Sequence, residues 1–104
     1  MNIKTILTEF KKGIARLYSK RLKEMILYGS WARGNATDDS DIDLMIVLAG
    51  DVTPGKEIDR MIDIITDTNL RHDVLISGYP ISATNYSTVN SPLLLNVRRE
   101  GIPA

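Results

Sequence analysis

The chain has 104 residues, no cysteine, and 13 basic side chains that balance 13 acidic ones. This length predicts a single domain over residues 1–104, and the lack of cysteine excludes disulfides, thiolate metal sites and a cysteine nucleophile. No apolar stretch approaches the roughly 18 residues of a membrane span and no signal peptide is evident, so we expect a cytoplasmic protein with no membrane partner. A neutral chain without a long basic stripe also disfavours binding to extended nucleic acid.

The charges are unevenly distributed along the chain. Residues 1–24 carry seven basic and two acidic side chains, whereas residues 38–73 carry ten acidic and three basic ones. The basic segment is typical of a solvated helix face. The acidic centre is where divalent cations would collect.

The first half of the chain predicts one helix and two strands. Apolar residues recur at helical spacing from residue 3 to about residue 21. Residues 25–28 form a short apolar run that ends at Gly29, which is typical of a buried strand. Ser30 to Gly34 is predicted to be a turn that opens a short helix, and residues 42–48 have the length and composition of a second strand.

The second half predicts a helix, a strand and a last helix. Thr53-Pro54 is a helix start, and an apolar stripe predicts a helix over residues 55–68. Residues 73–77 are predicted to be a third strand, which is followed by a break at residues 78–80. A last helix begins at Ser91-Pro92 and stops at Gly101, and residues 101–104 are the candidate for a fourth short strand. The expected fold is therefore an α/β (α+β) domain with a small mixed sheet of three to four strands flanked by helices.

Asp41 and Asp43 begin the second predicted strand. Because residues two apart in a strand point to the same face, both carboxylates project side by side, while Ile42 and Leu44 point to the core. A hard divalent cation is the usual means of keeping two adjacent carboxylates ionised in a cleft. Taken alone, however, an Asp-x-Asp pair at a strand start is more typical of a solvated surface.

Two better known motifs are excluded at this place. Asp39, Asp41 and Asp43 have the first spacing of an EF-hand, but the sixth position is Leu44 instead of glycine and the twelfth is Gly50 instead of glutamate. The glycines at 29 and 34 have the spacing of a Walker A loop, but Asn-Ala at 35–36 replaces its Lys-Ser or Lys-Thr.

Gly29 and Ser30 form a candidate phosphate turn. A glycine at a strand end can turn sharply and expose backbone amides, and the helix that follows adds its positive N-terminal dipole. The Ser30 hydroxyl is one more donor for phosphate oxygens. As an isolated feature, Gly-Ser is also a common turn.

The combination of the two features carries a resemblance. The chain has Gly-Ser-Trp-Ala-Arg-Gly at 29–34 and Ser-Asp-Ile-Asp-Leu at 40–44. This pattern resembles the nucleotidyltransferase superfamily that includes DNA polymerase beta, in the longer form typical of the minimal nucleotidyltransferases. The tail over residues 91–101 is similar to the end of these minimal members.

The resemblance implies a nucleotidyltransferase fold and activity. A nucleoside monophosphate, AMP from ATP in this family, would be transferred to a hydroxyl with loss of pyrophosphate. Asp41 and Asp43 would bind Mg²⁺, with two ions implied, and Asp73 at the start of the third strand would complete the catalytic metal site. Gly29 and Ser30 would bind the outer phosphates.

Three further residues have open interpretations at this stage. Arg33 either contacts the triphosphate or pairs with an aspartate at 38 or 39. His72 adjoins Asp73 and either tunes the site or is structural, the second being the more common case. Trp31 either stacks on a base or packs against the protein.

The resemblance also implies a partner. Minimal members of the family are similar to antitoxins that modify a helical HEPN-type ribonuclease toxin, usually on a tyrosine hydroxyl. We therefore predict a protein adenylyltransferase whose partner is such a toxin, within a homo- or hetero-oligomer. The alternatives are a module that neutralises its partner by binding alone, or nucleotidyl transfer to RNA or a small molecule.

Overall fold

The structure, a computed structural model, describes residues 2–104. Four strands are present: β1 (Leu22–Tyr28), β2 (Ile42–Leu48), β3 (Ile76–Ser82) and β4 (Ile102–Pro103). Five α-helices connect or flank them: α1 (Ile3–Tyr18), α2 (Ser30–Arg33), α3 (Pro54–His72), α4 (Ala83–Thr88) and α5 (Pro92–Glu100). The sheet order is β3-β2-β1-β4, with β2 and β3 parallel and the other two pairs antiparallel. The predicted small mixed sheet with flanking helices is confirmed.

Helices cover both faces of the sheet. The helices α1 and α3 lie side by side on one face, where Phe10 and Met61 pack with the inward side chains of β2, Ile42 to Leu48 at alternate positions. On the other face, Leu94 and Val97 of α5 pack on the intervening residues of the strands. The strand β2 is therefore buried on both sides, which explains its nearly continuous apolar sequence.

The predicted elements of the first half are confirmed with small shifts of their ends. The second strand has the predicted bounds, and α1 ends at Tyr18, three residues earlier than predicted. A 3-10 turn over residues 19–21 follows, and Ser19 adopts a positive φ of 50° that ends the α-helix. The first strand begins at Leu22 and is three residues longer at its start than predicted.

The predicted boundary between α3 and β3 was wrong. The helix α3 continues to His72, and Asp73 is its C-terminal cap in the left-handed conformation, with φ 50° and ψ 51°. Asn69 organises this connection, because its backbone carbonyl accepts from Val74 N–H and its side-chain Oδ1 accepts from Ile76 N–H at 2.9 Å. The strand therefore begins at Ile76, three residues after Asp73.

Both edges of the sheet carry a proline. The predicted break at residues 78–80 was wrong, because β3 is an edge strand and runs through Pro80, where a missing N–H costs no ladder bond. At the other edge, Ala104 N–H donates to Met25 C=O. Since amide direction alternates along a strand, Pro103 occupies a position whose N–H would point away from β1. Neither edge thus offers a complete row of donors to another strand.

The last part of the chain contains one helix that was not predicted. Ser82 accepts from Asn85 N–H and caps the short helix α4, which follows β3 directly. The predicted last helix is confirmed, with Ser91 as its N-cap and Gly101 as its end. The predicted fourth strand is also confirmed, as the two residues of β4.

A buried carboxylate joins α1 to α3 far from the Asp-x-Asp segment. Glu57 is only 3% exposed. Its Oε1 accepts from Tyr18 Oη at 3.0 Å and from Arg60 at 3.0 Å, and Arg21 lies 3.8 Å from its Oε2. Burial and the Glu57 hydrogen bond raise the pKa of Tyr18 to about 12. Glu57 is therefore a structural acid with donors on both oxygens.

None of the helices formed by residues 2–104 is both long and apolar enough to cross a membrane.

Candidate active site

The site is built around the start of β2. Asp41 lies just before the strand and is exposed, and Asp43 is half-buried on the sheet face that α5 covers. A tight turn over residues 37–40 precedes Asp41. It is stabilised by a hydrogen bond in which Ser40 Oγ accepts from Thr37 N–H at 2.9 Å. The indole N–H of Trp31 donates to Ser40 C=O at 3.3 Å and ties the turn to α2.

Gly29 and Asp43 are in direct contact. Gly29 links β1 to α2 with φ 73° and ψ −152°, a conformation that residues with a Cβ rarely adopt. A Cβ at this position would also overlap Asp43 Oδ2. The glycine is thus required both for the sharp turn and for the close approach of the predicted phosphate turn to the predicted metal ligand.

The environment of Asp43 disfavours its charged form. Burial raises the pKa of Asp43, the negative charge of Asp41 raises it further, and the positive charge of Arg33 offsets part of the increase. No hydrogen bond contributes to lowering it. A carboxylate that lacks donors and faces a second carboxylate is chemically suited to a hard cation, which Mg²⁺ is.

A pocket of about 310 Å³ opens beside this contact. The phosphate turn, Arg33 and Asp43 line one side of it, and α5 lines the other through Leu93, Asn96, Val97 and Glu100. Sequence reasoning missed these four α5 residues as part of the site. They are about 50 positions from Asp43 in the chain, and only the packing of α5 on the sheet brings them to the site.

Tyr28 lines the pocket, and Tyr79 is its neighbour on the sheet. Tyr28 pairs with Asp43 across β1 and β2, and Tyr79 lies on the same side of β3. Burial raises the pKa of Tyr28 to about 12, with further contributions from Asp43 and Tyr79. Tyr28 therefore stays a neutral hydroxyl beside the carboxylates.

Arg33 lies at the site and not in an ion pair of the loop. It lines the pocket with Asp43 and lowers the pKa of that carboxyl. Within residues 2–104, the ion pairs do not include one from Arg33 to Asp38 or Asp39. The geometry thus favours the first of the two interpretations, in which its charge serves the pocket.

Asp73 is not brought together with the other two aspartates. The expected place at the start of a strand was wrong, since Asp73 caps α3. Over residues 2–104, no three acidic or histidine side chains form a group suited to a metal ion. In the parallel ladder, the residue of β3 paired with Asp43 is Ser77. The role of Asp73 as a third ligand therefore stays a prediction without geometric support.

His72 has a structural partner. Its Nε2 lies 2.6 Å from Glu9 Oε2, and this bond joins the end of α3 to α1. The hydrogen bond from His72 is the largest cause that lowers the pKa of Glu9. Trp31 is likewise partly buried against the core. Both side chains thus have packing roles.

The chain belongs to the nucleotidyltransferase domain family, whose model matches residues 7–93. This confirms the resemblance drawn from the Gly-Ser and Asp-x-Asp segments. The match spans α1 to the start of α5 and so includes every residue of the phosphate turn and of the aspartate pair.

Relatives of similar length come from Methanocaldococcus jannaschii. The chain is 36% identical to "Putative protein adenylyltransferase MJ0604" over 102 residues, which cover 97% of this chain and 96% of the relative. It is 39% identical to "Putative protein adenylyltransferase MJ0141" over 77 residues, 74% of this chain and 77% of that one.

Solved structures share the fold. A minimal nucleotidyltransferase, so described with the qualifier "putative", aligns over 100% of this chain and 97% of its own, with a TM-score of 0.60 and 23% identity. A toxin-antitoxin complex with AMP-PNP contains a chain that aligns with a TM-score of 0.63 and 16% identity, over 90% of this chain and 68% of that one. At these identities the likeness extends to the fold alone.

Proposed function

We propose that the chain transfers AMP from ATP to a hydroxyl group of a partner protein in a magnesium-dependent reaction. The contact of Gly29 with Asp43 carries this proposal, because it brings the candidate phosphate turn and a carboxylate suited to a metal ion into one pocket. Family membership supports nucleotidyl transfer, and the names of the two Methanocaldococcus relatives support a protein acceptor.

Each site residue has a defined task in this proposal. Gly29 and Ser30 bind the outer phosphates, and Arg33 neutralises part of their charge. Asp41 and Asp43 hold the divalent cations. Two such ions, when bound, supply charge stabilisation at the attacking and leaving oxygens of an in-line displacement.

The bond changes follow from this arrangement. The acceptor hydroxyl oxygen forms a bond to the α-phosphorus, and the bond from that phosphorus to the bridging oxygen of the β-phosphate breaks. Pyrophosphate leaves, and the hydroxyl proton passes to solvent. In this proposal the pocket accommodates the phosphates between the turn and α5. Asp41 is exposed, close enough for its charge to act on Asp43.

The acceptor is proposed to be a helical HEPN-type toxin, for which the chain serves as antitoxin. This is supported by a toxin-antitoxin complex among the solved structures that share the fold of the chain. The AMP-PNP in that complex supports an adenine nucleotide as the donor.

Asp73 is a separate proposal as the third metal ligand. Its test is a comparison of Asp73→Asn with Ser77→Asp by calorimetric titration of magnesium and AMP-PNP. Weaker binding in Asp73→Asn supports its role. Unchanged binding in Asp73→Asn, with tighter binding in Ser77→Asp, shows instead that the position opposite Asp43 is where a third carboxylate acts.

The deciding experiment uses ATP labelled at the α-phosphate, magnesium and the protein encoded by the adjacent gene. We expect label on that protein with the wild-type chain and none with Asp41→Asn, whereas Asp38→Asn, a matched change in the exposed turn, retains transfer. Label transfer that survives Asp41→Asn would refute the metal site.

The remaining outcomes separate the other functions. A stable complex without any label favours a module that neutralises its partner by binding. Labelling of RNA or a small molecule in the absence of a partner protein favours transfer to those acceptors. An adjacent gene that encodes no all-helical protein counts against the antitoxin role.

A further inference from the structure

One face of α5 lines the side of the pocket opposite the phosphate turn. The residues of this face are spaced three and four positions apart, as neighbours on a helix surface are: Leu93, Asn96, Val97 and Glu100. Val97 is buried under the helix, whereas the side chains of Asn96 and Glu100 are exposed at the pocket rim. Neither of these two polar side chains has a task in the proposed transfer reaction.

The end of α5 that carries Glu100 is fixed on the sheet. A Cβ on the next residue, Gly101, would overlap Ile26 of β1, and the chain then continues into β4, which pairs with β1. From the outer side of the helix, Arg98 donates to Tyr86 C=O at 2.6 Å. The backbone of Glu100 is therefore held beside the pocket by contacts on both sides of the helix.

A hydrogen bond within α5 orients the amide of Asn96. Its Oδ1 accepts from Arg99 at 2.7 Å, so the two donors on Nδ2 are directed away from this arginine. Arg99 also lies 3.6 Å from Glu100 Oε1. Both partners of that ion pair are exposed, and an exposed pair of this kind is weak. Asn96 thus retains donors, and Glu100 retains acceptors, for a bound ligand.

The stability of α5 does not explain the charge of Glu100. The C-terminal end of a helix carries a partial negative charge, which favours the arginines at 98 and 99 and disfavours a carboxylate. Glu100 is nevertheless the last residue of the helix. Among the ion pairs of residues 2–104, it takes part only in the weak one with its chain neighbour.

The two sides of the pocket offer opposite chemistry. On the turn side, the Ser30 hydroxyl and the Arg33 guanidinium are donors, which suit the negatively charged oxygens of phosphates. The carboxylate of Glu100 on the α5 side only accepts hydrogen bonds, and its charge repels phosphate. The α5 side therefore suits an uncharged ligand group that donates hydrogen bonds. In a nucleoside triphosphate, such groups are the ribose hydroxyls and the amino group of the base.

The size of the pocket favours the ribose over the base. Its volume of about 310 Å³ is at the lower end of the roughly 300–1,000 Å³ of ligand sites. Residues that share so small a pocket with the phosphate turn contact the part of the nucleotide that adjoins the phosphates. The ribose is bonded directly to the α-phosphate through its 5′ oxygen, whereas the base lies beyond the sugar.

We infer that Glu100 and Asn96 bind the ribose of the nucleotide and select a ribonucleotide over a deoxyribonucleotide. Glu100 accepts hydrogen bonds from the 2′ and 3′ hydroxyls, as an acidic side chain does for the ribose in dinucleotide-binding folds. Asn96 donates from Nδ2 to one of the same hydroxyl oxygens. The inference rests on the proposed binding of a nucleoside triphosphate in this pocket, and it adds the residues that determine which sugar the substrate carries.

The test compares affinities for ATP, 2′-deoxy-ATP and inorganic triphosphate, measured with magnesium by isothermal titration calorimetry of the full chain. We expect the wild type to bind ATP about tenfold more tightly than 2′-deoxy-ATP, as loss of one hydrogen bond to a charged group predicts. Glu100→Ala should weaken ATP binding about tenfold or more and bind the two nucleotides about equally. Its affinity for inorganic triphosphate should be unchanged or higher, because a like charge has been removed.

Three further variants sharpen the comparison. Asn96→Ala should weaken ATP binding about fivefold without affecting inorganic triphosphate, because it removes a neutral hydrogen bond to the sugar. Glu24→Ala, which removes an exposed carboxylate of β1, is the matched control and should leave all three affinities unchanged. Glu100→Gln replaces Glu100→Ala if that variant does not fold, and it should reduce the preference for ATP to about threefold, because a neutral acceptor forms the weaker bond.

The outcomes distinguish this inference from the proposed function. A wild type that binds neither ATP nor inorganic triphosphate would refute both. A wild type that binds ATP, with a preference over 2′-deoxy-ATP that Glu100→Ala retains, would overturn the assignment of Glu100 alone. A change in the ratio of ATP to GTP affinity, with the ratio of ATP to 2′-deoxy-ATP unaltered, would assign Glu100 to the base and overturn it as well. Equal weakening of all three ligands together with a lower thermal midpoint would show a structural role instead.

Discussion

Glu57 and Asp43 are acids of the same small domain in opposite situations. Glu57 is nearly fully buried and accepts hydrogen bonds from Tyr18 and Arg60, so its charge is compensated by the protein. Asp43 is half-buried, receives no hydrogen bond that lowers its pKa, and faces the charge of Asp41. The protein therefore compensates the charge of Glu57, which joins α1 to α3, with its own donors. The charge of Asp43 at the pocket is left for a bound group, such as a cation, to compensate.

The largest effect on the transfer rate is expected from neutralising Asp41 or Asp43. Asp41→Asn and Asp43→Asn each remove a proposed cation ligand, and loss of charge stabilisation worth several kcal/mol should lower the transfer rate by about 10³-fold or more. The measurement is transfer of labelled AMP to the partner. Asp38→Asn is the control, and a rate within about tenfold of wild type in either site variant would contradict the assignment.

Substitution of Glu57 should instead lower the stability of the fold. Glu57→Ala leaves the Tyr18 hydroxyl without its buried side-chain acceptor and should reduce the free energy of unfolding by about 2 kcal/mol. The loss is not larger because the arginine partners of Glu57 are partly exposed and regain water. Urea titration measures this, with the exposed Glu24→Ala as control. A loss of stability no larger than that of the control would remove the distinction between the two acids.

Substitution of Arg33 measures how much its positive charge contributes to nucleotide binding in the pocket. We expect Arg33→Ala to weaken binding of magnesium and AMP-PNP about tenfold, as removal of a charge-assisted contact to phosphate does. Isothermal titration calorimetry measures this without the partner, and Arg16→Ala on the outer side of α1 serves as control. Equal affinities for Arg33→Ala and wild type would place this arginine outside the phosphate contacts.

The smallest effect concerns stability and pH. The pKa of Asp43 is raised above 3.8 in the folded state. Above about pH 4 the folded protein therefore binds more protons at this group than the unfolded chain does. The contribution of Asp43 to the free energy of unfolding thus falls as the pH rises through that range. Asp43→Asn should therefore melt slightly higher than wild type at pH 7 without magnesium.

The same variant should also lose the stabilisation that we expect from bound magnesium. A scan of thermal midpoints with and without the ion, at pH 4 and pH 7, measures both effects. If Asp43→Asn melts lower than wild type without magnesium, the repulsion between the two aspartates is not the dominant effect.

The part of the site that could be predicted from the sequence is local. The phosphate turn, α2, the turn at residues 35–40 and β2 follow one another, and each is determined by short-range preferences of glycine, turn residues and alternating apolar residues. Strand alternation alone places both aspartates on one face. For this segment, local rules and tertiary structure agree.

The predictions from sequence were wrong or incomplete where tertiary contacts determine the structure. The apolar stripe of α3 weakens after Ile65, yet the helix continues for two turns because Asn69 bonds the following loop and His72 reaches Glu9. Its extension displaces Asp73 from the strand. The α5 wall of the pocket is also a product of packing, and no local pattern indicated that Asn96 and Glu100 would face Gly29.

The prolines at the two sheet edges affect how selectively the protein associates with other chains. An open strand edge accepts almost any extended chain, because backbone donors and acceptors are the same in every sequence. Pro80 and Pro103 each remove one outward backbone donor from an edge, which weakens this unselective route. Recognition then depends more on surfaces made of side chains, and those differ from one protein to the next.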